Sequence, residues 1–192
     1  MPLNIPILLT WLRVVLIPVF VVVFYLPSSW ISPTCANWLG ALIFAFASIT
    51  DWLDGYLARR WEQTSSFGAF LDPVADKLIV AVALILLVGF DRTSMIWAMI
   101  IIGREITISA LREWMAQMGK RKNVAVAYIG KLKTTAQMVA IVLLLINSEN
   151  FMGLNLQVIG NILMIVAAVL TIWSMFYYLK IAKENFTSET DK

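Results

Sequence analysis

The sequence predicts an all-α integral membrane protein, a bundle of six transmembrane helices, and three observations predict it. Apolar residues fill 60% of the 192 positions and charged residues only 14%, where a soluble domain of this size carries about 25% charged residues. Mean hydropathy is +0.82. The apolar residues also gather into runs long enough to cross a bilayer, separated by short polar or turn-forming breaks.

Six spans follow, at 7–26, 35–59, 68–90, 94–116, 125–147 and 154–181. The first ends at Pro27-Ser28-Ser29, and the second at a hairpin from Trp61 to Ser66. The third stops at Asp91-Arg92, the fourth at Gly119 to Lys122, and the fifth at Asn147 to Asn150. The sixth runs into a polar stretch, 184–192, which reads as a solvated, frayed end. Residues 1–183 are expected to form a single transmembrane domain, with no internal repeat or low-complexity tract. The N-terminus lacks a basic n-region and a small-residue cleavage site, so the first apolar segment is expected to stay.

Charge sets the orientation. The loops between spans 2–3 and 4–5, with the C-terminal tail, hold Arg59, Arg60, Lys120, Arg121, Lys122, Lys180, Lys183 and Lys192, whereas the opposite loops hold only Arg92. The positive-inside bias puts both termini in the cytoplasm, and Trp30, Trp38 and Trp97 read as an aromatic belt on the far side. No organelle-targeting signal is visible, so a bacterial inner membrane is expected. The net charge of +3 gives no reason to expect a nucleic-acid partner. A single cysteine, Cys35, rules out an internal disulfide, and the absence of histidine excludes imidazole-ligated metals and Ser-His-Asp triads. Catalysis is left to carboxylates, lysine, arginine and hydroxyls.

One stretch, DWLDGYLARRWEQTSSFGAFLDPVAD at residues 51–76, concentrates the acids. Asp51 and Asp54 lie three apart, so they share a helix face. Gly55 and Ala58 lie on or beside that face and leave it open. Gly68, Asp72 and Asp76 stack at i, i+4 and i+8 along the next helix. Four carboxylates brought together repel one another and need compensation. Oxygen-only ligands suit hard divalent cations, Mg²⁺ or Mn²⁺, and two such ions sharing the carboxylates would hold the cluster. Arg59 adds a positive charge suited to a phosphate. The competing reading pairs the acids with Arg59, Arg60 and Lys77 as structural salt bridges, and gives Gly55 and Gly68 to close helix packing.

Residues 51–76 fit D-x2-D-G-x2-A-R-x8-G-x3-D-x3-D at all eight fixed positions. This resembles the signature of the CDP-alcohol phosphotransferases. The resemblance implies a six-helix membrane fold and a metal-dependent transfer from a CDP-linked lipid to an alcohol, with release of CMP. By carry-over, Asp51, Asp54, Asp72 and Asp76 hold the metals, and Asp76 takes the proton from the acceptor hydroxyl. Gly55, Ala58, Arg59 and Gly68 line the donor site. The chemistry is physically sensible: metals neutralise phosphate charge and orient an in-line attack, while the protein positions and deprotonates.

A second polar group bears on the acceptor. In GREITISALREWM, Arg104 and Arg112 lie two helical turns apart, followed by Glu105 and Glu113; in YIGKLKTTAQ, Lys131 and Lys133 open the fifth span. An arginine inside a span is costly unless paired or ligand-bound. Two arginines and a lysine around one cavity bind a dianionic phosphate, which makes the acceptor a phosphorylated alcohol. Against this, Lys131 and Lys133 could be interfacial, Arg112 could snorkel, and Glu105 and Glu113 could balance charge.

These stretches, with the N-terminal NIPILLTWLR, are similar to the bacterial phosphatidylglycerophosphate synthase branch of the family. That similarity implies CDP-diacylglycerol as donor, sn-glycerol 3-phosphate as acceptor, and a homodimer through late spans. It places Arg104, Arg112, Lys131 and Lys133 on the acceptor phosphate. Asn4, Thr10 and Arg13 also match, whereas Ile7 stands where many relatives carry asparagine. Arg13 is left between snorkelling and donor contact. Three other readings compete: the same reaction on another acceptor such as inositol phosphate, a divalent-cation transporter, and an intramembrane aspartyl protease. A transporter leaves Arg104 and Arg112 unexplained and usually shows repeated halves; a protease needs only two opposed acids.

Overall fold

The computed structural model describes residues 5–61, 66–117, 127–149 and 151–190, with the side chains of residues 5–7, 51–61, 66–70, 112, 116–117, 127–129, 131, 178 and 180–190 outside that description. Six helices follow in order: α1 (Ile5–Tyr25), α2 (Pro33–Trp61), α3 (Ser66–Gly89), α4 (Met95–Gln117), α5 (Ala127–Ile146) and α6 (Leu156–Thr190). Among the described residues the only β pairing is the isolated bridge between Phe151 and Leu154. The all-helical expectation therefore holds. One boundary differs: α6 continues to Thr190 instead of fraying beyond residue 183. No proline or glycine follows Gly160, so nothing in the sequence breaks the helix before its end.

Among the described residues, three helical segments are long and apolar enough to cross a membrane: Leu8–Tyr25, Pro33–Thr50 and Leu156–Tyr177. Leu132–Ile146 is a shorter apolar helix. α3 and α4 are comparable in length but carry Asp72, Asp76 and Lys77, and Arg104, Glu105, Arg112 and Glu113. Those charges mark the helices that build the site.

α1 packs on α2 and α3, α2 on α5, and α6 against α4 and α5. Between them Phe20, Phe44, Ile79, Leu84, Leu87, Ile101, Ile141, Leu144 and Met164 are almost completely buried. The outward faces remain apolar, with Val15, Ile49, Ile85, Met99, Val158, Ile162 and Trp173 exposed. Exposed apolar faces on long helices suit a lipid surround. Hydroxyls inside the bundle bond their own helices, Ser48 to the Phe44 carbonyl and Thr50 to that of Ala47, each at 2.8 Å. Such back-bonding satisfies donors that have no water to turn to.

One end of the bundle is tightly closed. Ser32 caps α2 through its hydroxyl, which accepts from Cys35 N, with Pro33 in the first helical position. Ser94 and Asn155 cap α4 and α6 in the same way. α3 ends in a Schellman motif: Asp91 takes φ 54°, Arg92 N bonds Leu87 O at 2.8 Å, and Asp91 N bonds Val88 O at 3.0 Å. That turn throws the Arg92 side chain back across the bundle. Its guanidinium donates to Leu145 O at 2.8 Å and Asn37 Oδ1 at 2.6 Å, and stacks near the rings of Phe24 and Phe90. Asn161 Nδ2 donates to the Arg92 carbonyl at 3.1 Å. Residues of α1, α2, α5 and α6 thus meet on the α3–α4 turn. Burial lowers the Arg92 pKa from its ordinary value, though a guanidinium stays charged at any physiological pH.

Candidate active site

Away from that end lie the acids and cations that the sequence singles out. Of the four aspartates, Asp72 and Asp76 are described: they lie one turn apart on α3, on the same side of the helix, and both are half-buried. Asp51 and Asp54, with Gly55, Ala58 and Arg59, fall in the last turns of α2, and Gly68 near the start of α3; the side-chain placements expected for them lie outside the described residues. What is seen of the acidic face has a partner from α1. The Thr10 hydroxyl, buried, donates to Asp72 Oδ1. That bond crosses 62 positions of sequence and fixes the carboxylate's orientation. One turn along α1, Arg13 is fully buried, which excludes snorkelling to the interface.

The second constellation forms between α4, α5 and α6. Arg104 Nη1 donates to Glu105 Oε1 at 3.0 Å, and Lys133 Nζ donates to the same oxygen at 2.5 Å. Arg104 Nη2 reaches Ser174 Oγ at 3.3 Å on α6, and that hydroxyl donates in turn to Thr171 O. Lys133 is 3% exposed, so it is no interfacial lysine. Glu105 balances both cations, as its position suggested. Arg112 lies on α4 and Lys131 on α5, with side chains outside the described residues.

A cavity of about 340 Å³ lies between α3 and α4. Pro73, Val74 and Lys77 line it from α3, and Ile102, Glu105 and Ser109 from α4. The α3 segment that carries Asp72 and Asp76 therefore faces the α4 segment that carries Arg104 and Glu105.

Residues 3–173 match the family model for CDP-alcohol phosphatidyltransferases. The chain belongs to that family. The CDP-diacylglycerol–glycerol-3-phosphate 3-phosphatidyltransferase of Pectobacterium atrosepticum is 55% identical over 187 residues, covering 96% of this chain and 98% of the relative. The protein of the same name from Salmonella typhimurium is 55% identical over 191 residues, covering 98% of this chain and all of the relative. That of Shigella flexneri serotype 5b is 53% identical over the same length. The resemblance carried by residues 51–76 thus extends over the whole fold.

Three features of the site were not read from the sequence. Thr10 was noted without a partner, because nothing local ties it to Asp72. The bond from Lys133 to Glu105 spans 28 positions, and that from Arg104 to Ser174 spans 70. Helical periodicity puts such residues on a face but does not choose the opposite helix.

Proposed function

We propose that the protein transfers the phosphatidyl group of CDP-diacylglycerol to sn-glycerol 3-phosphate, giving phosphatidylglycerophosphate and CMP. One observation carries this reading. Arg104 and Lys133, 10% and 3% exposed, share the carboxylate of Glu105, which lines a cavity between α4 and the α3 segment that carries Asp72 and Asp76. The full-length likeness to proteins named for this reaction supports it.

In this reading Arg104 and Lys133, with Arg112 and Lys131, hold the acceptor's phosphate, and arginine contributes planar, bidentate recognition. Asp76 receives the proton of the acceptor hydroxyl as its oxygen attacks the lipid-bearing phosphorus. A new P–O bond forms there while the bond from that phosphorus to the CMP oxygen breaks. Gly55, Ala58, Arg59 and Gly68 form the donor side. Thr10 orients Asp72.

The donor set fits Mg²⁺ or Mn²⁺. Asp72 and Asp76 offer hard oxygens one turn apart, and Asp72 Oδ1 already accepts a hydrogen bond. Asp51, Asp54, Asp72 and Asp76 would hold two such ions, which when bound supply charge neutralisation at the diphosphate.

The same proposal includes six spans, both termini and the active site on the cytoplasmic side of a bacterial inner membrane, and a homodimer. The loop charges support the orientation. The apolar outer face of α6, with Val158, Ile162 and Trp173 exposed, offers a surface for a second copy.

The test is CMP release by purified protein in detergent with CDP-diacylglycerol and Mg²⁺, with and without sn-glycerol 3-phosphate. Release that requires glycerol 3-phosphate is expected. Release with inositol phosphate in its place overturns the acceptor, and metal binding without release on any acceptor turns the reading toward transport.

A further inference from the structure

Glu105 is the one described carboxylate lodged among the cations of the α4–α6 seam, and the manner of its holding is informative. Both bonds, from Arg104 and from Lys133, fall on Oε1, and among the described residues Oε2 receives none. The two cations are 10% and 3% exposed, whereas Glu105 is 27% exposed. A carboxylate held through one oxygen by two buried cations occupies the place that an oxygen of a phosphate would take. A dianion with three terminal oxygens is the stronger partner for such a pair.

A displaced carboxylate also needs somewhere to go. Glu105 lines the α3–α4 cavity together with Lys77 and Ser109. Lys77 forms no ion pair with any described residue. The cavity therefore offers both the room and a waiting cation.

We propose that Glu105 is the resident anion of the acceptor site: it pairs with Arg104 and Lys133 until the acceptor's phosphate replaces it, and it then turns into the cavity toward Lys77. This rests on the reading that Arg104 and Lys133 bind the acceptor phosphate. Glu105 thereby sets specificity. An uncharged alcohol has nothing with which to displace it, whereas a phosphomonoester dianion does.

The experiment compares wild type, Glu105→Gln, Lys77→Gln and the double variant in detergent, with Mg²⁺ and CDP-diacylglycerol. It reads the KM for sn-glycerol 3-phosphate, the KM for the donor, and competitive inhibition by inorganic phosphate. Removing the competing carboxylate lowers the acceptor KM about tenfold, equivalent to 1.4 kcal/mol, lowers the inhibition constant of phosphate in parallel, and leaves the donor KM in place. Lys77→Gln raises the acceptor KM several-fold in the wild-type background and has no such effect beside Glu105→Gln, because Lys77 acts only on the displaced carboxylate. A raised acceptor KM in Glu105→Gln shows a brace instead of an exchangeable anion and overturns the proposal, as does a Lys77 effect that persists in the double variant. Should Glu105→Gln fail to fold, an unchanged acceptor KM in Lys77→Gln alone overturns it.

Failure of the acceptor assignment is distinguishable. If glycerol 3-phosphate does not serve, thermal protection by inorganic phosphate still reads the exchange. Protection larger in Glu105→Gln than in wild type supports it; equal protection overturns it.

Discussion

Arg92, in the turn after α3, and Arg104, roughly 14 Å along the axis of α4 from its first residue, both bring a guanidinium into an apolar bundle, and they use their donors differently. Arg92 bonds neutral acceptors, two carbonyls at the end of α5 and the amide oxygen of Asn37, and sits against two phenylalanine rings. Arg104 bonds a carboxylate that it shares with Lys133, and a serine hydroxyl. Neutral acceptors that belong to the backbone cannot leave. A carboxylate on a flexible side chain beside a cavity can. The same residue type closes one end of the bundle and keeps the other open to exchange with an anion.

Two substitutions separate the ends most sharply. Asp76→Asn removes the proposed base at the open end while keeping its shape, and acceptor-dependent CMP release is expected to fall about a thousandfold. Its thermal unfolding temperature stays near that of wild type; a fall of only a few-fold in rate would show that another group takes the proton. Arg92→Ala does the reverse. It strands Asn37 Oδ1 and uncovers the end of α5, with an expected loss of about 3 kcal/mol of stability. The acceptor KM of the protein that remains folded is unchanged. A shifted KM would mean that the two ends are coupled.

The sequence was most informative where chemistry depends on spacing along one helix. The run from Asp51 to Asp76, the cationic residues of α4 and α5, and all six helices were legible because hydrophobic periodicity and i, i+4 stacking are local properties. The extent of α6 is not, because a polar run reads as a helix end even where no glycine or proline interrupts it. Arg92 was seen only as the single positive charge on its side. Its role depends on the left-handed turn at Asp91, which aims the side chain at α1, α2 and α5. Glu105 was read as charge balance, which is correct as far as it goes. That its two bonds share one oxygen, beside a cavity, is a tertiary fact. The pairing of Thr10 with Asp72 is of the same kind.

A more moderate effect is expected from that pairing. Thr10→Val keeps the shape and removes the donor to Asp72. Groups that orient a ligating carboxylate typically contribute 10–100-fold to activity or metal affinity, so a fall of about tenfold and a higher Mg²⁺ requirement are expected, restored by Thr10→Ser. An unchanged Mg²⁺ dependence in Thr10→Val would detach Thr10 from the proposed metal site.

The smallest effects test whether the closed end is also the tightly packed one. Gly160, near the start of α6, has Leu144 Cγ 2.8 Å and Ala140 O 3.4 Å from where a Cβ would stand. Gly103, beside Arg104 on α4, has nothing within 4 Å. Both sit in helices, where alanine is intrinsically preferred to glycine by up to about 1 kcal/mol. At position 103 that preference acts unopposed, so Gly103→Ala is expected to raise the unfolding temperature slightly. At position 160 the new methyl must move Leu144 or part α6 from α5, an overpacking cost of about 1–3 kcal/mol that exceeds the gain. Gly160→Ala therefore lowers the unfolding temperature. Opposite signs for one substitution at two helical glycines would place the rigid packing at the Arg92 end; equal signs would mean that α5 and α6 have slack there, and that the closure depends on the arginine alone.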